Sequence, residues 1–194
     1  MNITTDQIKT LRDATGISIM QCRKALEEAG GDMDKAKIIL EKKSKAAAEK
    51  KVDRELKAGT IGSYIHATGT AGSLVELACE TDFVGKNEDF RHLAREIAMH
   101  VTAMSPKYVS TDEITAEEKA KVAEVFEKDI DASKTPEMKA KILEGKLGAY
   151  FAEKTLLAQP YIKNGDKTIQ NLIEEATQKY GEKIAVSKFV RFVI

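Results

Sequence analysis

Two runs of strand-forming residues, Ile61-Gly62-Ser63-Tyr64-Ile65-His66 and Leu74-Val75-Glu76-Leu77-Ala78-Cys79, flank the turn-rich stretch Thr68-Gly69-Thr70-Ala71-Gly72 in a chain otherwise patterned as helix. Runs of this length on either side of a glycine-bearing turn predict a β-hairpin. A hairpin alone is marginal in water and needs a further strand and a covering layer. The chain supplies a third run at its end, Ile184 to Ile194, which is apolar and β-branched and is interrupted by Lys188 and Arg191. Three strands separated by blocks of helix predict an antiparallel sheet with helices on one side, an α+β core. The turn glycines do not make a phosphate loop. That loop ends in Gly-Lys-Ser/Thr and opens a helix, whereas a strand follows here.

The helices announce their ends. Thr4-Thr5-Asp6-Gln7 fits a capping box ahead of Ile8 and Leu11, and Thr15-Gly16 supplies the stop. Ser18-Ile19-Met20-Gln21 repeats the box before Cys22, Ala25 and Leu26, which lead to Gly30-Gly31. Asp32 caps a third helix carrying Met33, Ala36, Ile39 and Leu40. Apolar positions at spacings of three and four give each helix one face to bury, so residues 1–40 are expected to form a small three-helix module. Residues 41–57, rich in Lys, Ala and Glu, read as a helical or flexible charged linker with a solvated face. The remaining 58–194 would be the α+β core. Within it, Glu88 to Met104 is helical up to Pro106, Thr115 caps a helix with Val122, Val125, Phe126 and Ile130, and Asp131 to Pro136 breaks it. A partner helix through Met138, Ile142, Leu147, Phe151 and Leu156 completes a helical hairpin at about 115–158, which can project as an arm and closes at Gln159-Pro160-Tyr161-Ile162. Thr168 caps one more helix, ended by Gly181.

Between the second strand and the following helix stands Glu80-Thr81-Asp82-Phe83-Val84-Gly85-Lys86-Asn87. An acid and an aromatic side by side at a corner between two rigid elements occupy a position where functional residues concentrate. Taken alone, the same pattern also fits a local turn whose Phe enters the core, the commoner state of such corners.

Composition removes several classes. Lys plus Arg and Asp plus Glu are 31 each, so no global positive field draws the chain to nucleic acid. Charged residues at 32% and the lack of long apolar runs argue against a membrane span. The start, Met1-Asn2-Ile3-Thr4, lacks a signal-peptide pattern, and Cys22 and Cys79 are the only cysteines, so a cytoplasmic chain with reduced, packed thiols is expected. His66, His92 and His100 lack the spacing of a helical metal pair, and neither a CxxC pair nor a Gly-x-Ser-x-Gly elbow occurs. The residues therefore predict an interaction protein, not an enzyme, with no metal, no cofactor and no direct nucleic-acid contact.

Two stretches resemble the elongation factor Ts family of guanine-nucleotide exchange factors. One is Leu11-Arg12-Asp13-Ala14-Thr15-Gly16 with Met20, Cys22, Lys24-Ala25-Leu26 and Gly31-Asp32; the other is Glu76 through Asn87. Glu144-Gly145-Lys146-Leu147, Gln159-Pro160-Tyr161 and Phe189-Val190-Arg191-Phe192 also resemble family landmarks, so the likeness covers nearly the whole length. The resemblance implies a ubiquitin-associated-like N-terminal module that docks on the GTPase domain of elongation factor Tu through Arg12, Ile19 and Met20. Core packing is an equally good reading of Ile19. It further implies contact through Thr81, Asp82, Phe83 and Val84, with Asp82 and Phe83 wedging near the partner's magnesium and phosphate site. Long family members carry two similar core subdomains, whereas the strand-hairpin pattern appears here once. A homodimer with the sheet as its seam is therefore expected. Many relatives continue past Phe192-Val193-Ile194 with a glycine and a tail, whose contacts would be absent or replaced here. A module that binds a ubiquitin-like or nascent-chain partner without changing nucleotide off-rates is the competing expectation.

Overall fold

The structure, a computed structural model, describes residues 3–131 and 133–194. The first two residues of the expected module, which also belong to the start read for a signal peptide, and Ala132 of the expected helix breaker lie outside them. The fold is α+β, with eight α-helices and a three-stranded antiparallel sheet among the described residues.

Helices α1 (Thr5–Thr15), α2 (Ile19–Glu28) and α3 (Met33–Glu49) pack around Leu11, Ile17, Cys22, Leu26 and Leu40. The Thr4–Gln7 capping box closes in both directions. At α2 only half of the expected box forms, since the Ser18 side chain accepts from the Gln21 N–H without the reciprocal bond. Asp32 accepts from the N–H groups of Asp34 and Lys35, as its place before Met33 requires. Helix α3 does not stop at Leu40. It runs to Glu49, so residues 41–49 of the segment read as a helical or flexible linker are helical, and its buried Ser44 hydrogen-bonds Gln178 of the core.

Strands β1 (Ala58–Ile65) and β2 (Ala71–Cys79) form the expected hairpin, and the last strand runs Ile184–Val193. That last strand pairs antiparallel with β2, giving the order first, second, last. Helix α4 (Asp82–Gly85) is a single turn, and α5 (Glu88–Met104) lies across the sheet's inner face. Gly62 permits that packing: a Cβ there would stand 2.3 Å from the Ala94 backbone. Beyond it come the arm helices α6 (Ala116–Lys128) and α7 (Pro136–Lys154).

A small two-stranded sheet, β3 (Pro160–Tyr161) with β4 (Asn164–Thr168), lies where the sequence suggested only an end to the arm. Helix α8 (Ile169–Tyr180) and strand β5 (Ile184–Val193) complete the chain. Thr168 closes a capping box with Asn171, and Gly181 ends α8 at φ +72°. One core lies between the inner face of the sheet and α5 and α8, built on Val75, Leu77, Phe90, Ile97, Ile169 and Val186. Helix α3 packs along α8, which ties the three-helix unit to this core.

Candidate functional site at the strand-to-helix corner

Strand β2 loses both of its neighbours at Cys79, which pairs with Ala58 at the start of β1 and Ile184 at the start of β5. The chain then turns through Glu80 and Thr81 into the single turn of α4. This turn splits its side chains between two environments. Phe83 is 83% exposed, while the next residue, Val84, is 3% exposed and packs in the main core. The Phe83 ring therefore stands in solvent on a turn that Val84 anchors from beneath. Gly85 completes the seat: a Cβ there would lie 2.9 Å from the carbonyl oxygen of Gly59 on β1, so only glycine lets α4 approach the strand this closely.

Asp82 is exposed and paired with Lys86 one turn on. The hydrogen bond and charge of Lys86 hold its carboxyl below the usual range, so it presents a carboxylate. Thr81 sits at the N-cap of α4 but does not cap it. Its hydroxyl donates instead to Glu182 Oε1 at 2.6 Å. The N–H groups of Glu80 and Thr81 donate to Glu182 Oε2 at 3.1 and 3.0 Å. In return the Lys183 N–H donates to the Glu80 carboxylate, which also receives Arg54 Nη1 at 3.1 Å. The Lys183 bond is the leading cause that keeps the Glu80 carboxyl ionised below its ordinary value, followed by the Arg54 bond and charge. Burial, with Glu182 adding to it, pushes the Cys79 thiol up, which suits a packed and unreactive cysteine.

The far side of the corner is also held. Asn87 caps α5 by accepting from the N–H groups of Asp89 and Phe90, and the Tyr180 hydroxyl donates to the same Asn87 oxygen at 3.2 Å. Lys179 Nζ donates to Asp89 at 2.7 Å.

The remaining expected contact residues lie on the three-helix unit. Arg12 is exposed near the end of α1, 3.8 Å from Asp13. Ile19 and Met20 open α2 and are 56% and 62% exposed. Neither belongs to the core of that unit. Ile17, just before the Ser18 cap and 1% exposed, is the isoleucine of this stretch that packs in the bundle core, the alternative reading of Ile19. Lys179 links the two regions, because its stem lies beside Gly16 in the α1–α2 turn while its Nζ holds Asp89 behind the tip. Val84 is the one expected contact residue with a side chain turned into the core. The exposed apolar surface at the corner is thus Phe83's. Glu182, Lys179 and Tyr180 carry no signal in the sequence that marks them as part of the corner.

Among the described residues, no group of three or more His, Cys, Asp or Glu side chains is arranged to hold a metal ion. No described helix is long and apolar enough to cross a membrane.

The family model described as "Elongation factor TS" matches residues 33–194. The chain is 47% identical over 194 residues to elongation factor Ts of Thermodesulfovibrio yellowstonii, covering 100% of this chain and 97% of that one. It is 44% identical over 195 residues to elongation factor Ts of Coprothermobacter proteolyticus, covering 100% and 99%. It is also 44% identical over 195 residues to that of Geobacter metallireducens, covering 100% and 90%. The chain belongs to the elongation factor Ts family. That family acts as nucleotide exchange factor for elongation factor Tu, and the Asp82-Phe83 corner lies inside the segment matched by the family model.

Proposed function

We propose that the protein promotes GDP release from elongation factor Tu during translation elongation by pushing Asp82 and Phe83 into the GTPase domain near its magnesium and phosphate site. The observation that carries this reading is the Phe83 ring, 83% exposed on a turn anchored by Val84 and braced on both sides. An apolar ring held in water at that angle gains by entering a partner. Burying it is worth about 1.5–3 kcal/mol, enough for a tenfold to hundredfold bias if the ring is buried only in the nucleotide-loosened state of the partner. Displacing the elements that hold magnesium weakens the phosphate contacts, and the nucleotide leaves faster. No bond is made or broken, so the protein is not an enzyme in the covalent sense and uses no cofactor. By linkage, nucleotide weakens the exchange factor as much as the exchange factor weakens nucleotide, and incoming GTP expels it.

Arg12, Ile19 and Met20 serve as a second contact, docking the three-helix module of residues 1–40 on the same GTPase domain. Ile19 and Met20 are exposed apolar side chains at the start of α2, and Arg12 is an exposed guanidinium near the end of α1, which together suit a helix surface that offers apolar and acidic groups. The site of action is the cytoplasm.

The active form is a homodimer joined sheet to sheet. Supporting this is the outer sheet face, where Ile61, Ile65, Leu74, Val190 and Phe192 are exposed. The register aligns Ile65, Gly72 and Phe192 in one row and Ser63, Leu74 and Val190 in the next, so the patch is continuous across all three strands. Such a face on a monomer is costly, and a second copy covers it with a matching patch.

Catalytic amounts of the protein should accelerate release of labelled GDP from elongation factor Tu, and unaltered release would defeat the exchange reading. Sedimentation at micromolar concentration should give twice the chain mass and Leu74→Glu a single chain mass. A wild-type monomer would defeat the dimer.

A further inference from the structure

We propose that Glu182 is the positioning residue of the Asp82-Phe83 tip, acting through the backbone of Glu80 and Thr81 and not through any contact with the partner. The inference rests on the wedge reading above and deepens it. Beyond Cys79 the backbone has no strand on either side, yet the N–H groups of Glu80 and Thr81 are both taken up by one carboxylate oxygen of Glu182, at 3.1 and 3.0 Å. The other oxygen takes the Thr81 hydroxyl at 2.6 Å. The Lys183 N–H returns the bond to the Glu80 side chain. Side chains thus add one more rung to the β2–β5 ladder, where the strands themselves have stopped pairing.

Residues past the tip are tied to the same stretch, through Tyr180 to Asn87 and Lys179 to Asp89. Five residues, Lys179 to Lys183, therefore bracket the tip on both sides. A wedge shifts its target only as far as its own mount resists. Compliance in the mount and in the partner act in series, and the softer of the two absorbs the displacement. Charge-assisted bonds to backbone N–H groups are the stiffest tie available to a loop without a ladder. Glu182 is half-buried behind the tip, so its part is to hold, not to touch.

The test measures release of a fluorescent GDP analogue from elongation factor Tu at rising concentrations of full-length wild type, Glu182→Ala, Glu182→Gln, Glu182→Asp, Phe83→Ala and the Phe83→Ala/Glu182→Ala double variant. Loss of positioning should lower the plateau rate of Glu182→Ala about tenfold while the half-saturating concentration moves by less than about threefold. Glu182→Gln keeps an oxygen for both N–H groups but loses the charge and the acceptor for the Thr81 hydroxyl, and should recover part of that plateau. Glu182→Asp keeps the charge but withdraws the acceptors by one methylene, and should be as slow as Glu182→Ala. The aspartate variant decides the matter if the alanine variant does not fold. In the absence of the Phe83 ring, loss of Glu182 should cost nothing further, because it acts through that ring. A wild-type plateau for both Glu182→Ala and Glu182→Asp, with Phe83→Ala slow, would overturn the proposal and leave the wedge standing. Full multiplication of the two single losses in the double variant would overturn it as well. Undiminished release by Phe83→Ala would instead remove the wedge and this proposal together.

Discussion

The corner at residues 80–89 and the helical hairpin at residues 116–154 both present exposed side chains, and they are held in opposite ways. The corner is short and tied by side chains from about a hundred residues away, with Glu182 behind Glu80 and Thr81, and Tyr180 and Lys179 behind Asn87 and Asp89. The arm is long and holds mainly to itself. Among the described residues none of α6 is buried and only Phe151 of α7 is, and the two helices meet through the edge-to-face pair Phe126–Tyr150, 5.6 Å between centroids. Its base is pinned locally: Glu118 receives Lys107 Nζ at 2.8 Å and the Tyr108 hydroxyl at 2.7 Å, which draw its carboxyl down to about 2. On the proposed wedge reading, the segment that transmits force is the one mounted on long-range bonds, whereas the arm relies on its own hairpin.

Truncation should separate the two most clearly. Val84→Ala empties a core site under the tip and should cost about 1–3 kcal/mol in urea unfolding. Val125→Ala, on the exposed face of α6, should stay within about 0.5 kcal/mol. Equal costs would erase the contrast.

Glu118→Gln is the next largest test. It weakens two ties at the arm base, so amide exchange in α6 should quicken while exchange at Glu80 and Thr81 and the rate of GDP release hold steady. A change in GDP release would show that the arm bears on the corner.

The smallest effect concerns pH. His100 is fully buried, with Nε2–H assigned as donor to Gln159 at 2.9 Å and Nδ1 accepting from the Ile162 N–H at 3.3 Å. Around it, Glu96 on the same helix is held by Tyr161 and Lys163 from β3 and its turn. Burial sets the His100 value below the usual histidine range. The unfolded chain then takes up more protons as pH falls, so the stability from neutral His100 is complete above about pH 6.5 and declines below it. Amides of β3 and β4 should exchange faster at about pH 5.5 than at about 7.5 relative to the intrinsic rate. The corner should be flat over that window, because the Glu80 and Asp89 carboxyls that brace it lie below their ordinary values and stay ionised. Parallel behaviour of the two regions would contradict this assignment of charge.

What is legible in the chain is local. Caps such as Thr4, Asp32, Asn87 and Thr168 act within three residues, and the alternation in β1 and β2 acts within one strand, so both can be read without a fold. The corner itself is legible as the junction of β2 and α5. Whether its Phe faces in or out is not, because that depends on Val84 taking the core position, which is settled by packing against β1 and α5. Ile19 is ambiguous for the same reason, until Ile17 is seen to fill the bundle. The β3–β4 hairpin escapes a reading by pattern because Asn164-Gly165-Asp166-Lys167 is polar and short, and its Asn-Gly pair, ordinarily a turn signal, lies inside β4 while Ile162 and Lys163 make the turn. Glu182 is invisible in the chain, since a glutamate after a helix-ending glycine looks like any solvated acid until the fold brings it to Thr81.

The most direct test is stopped-flow release of fluorescent GDP from elongation factor Tu at saturating wild type and Phe83→Ala. Release should be tenfold to hundredfold slower with Phe83→Ala, as expected from about 1.5–3 kcal/mol of ring burial, with an unchanged unfolding midpoint. Release at the wild-type rate by a folded Phe83→Ala protein would contradict the wedge.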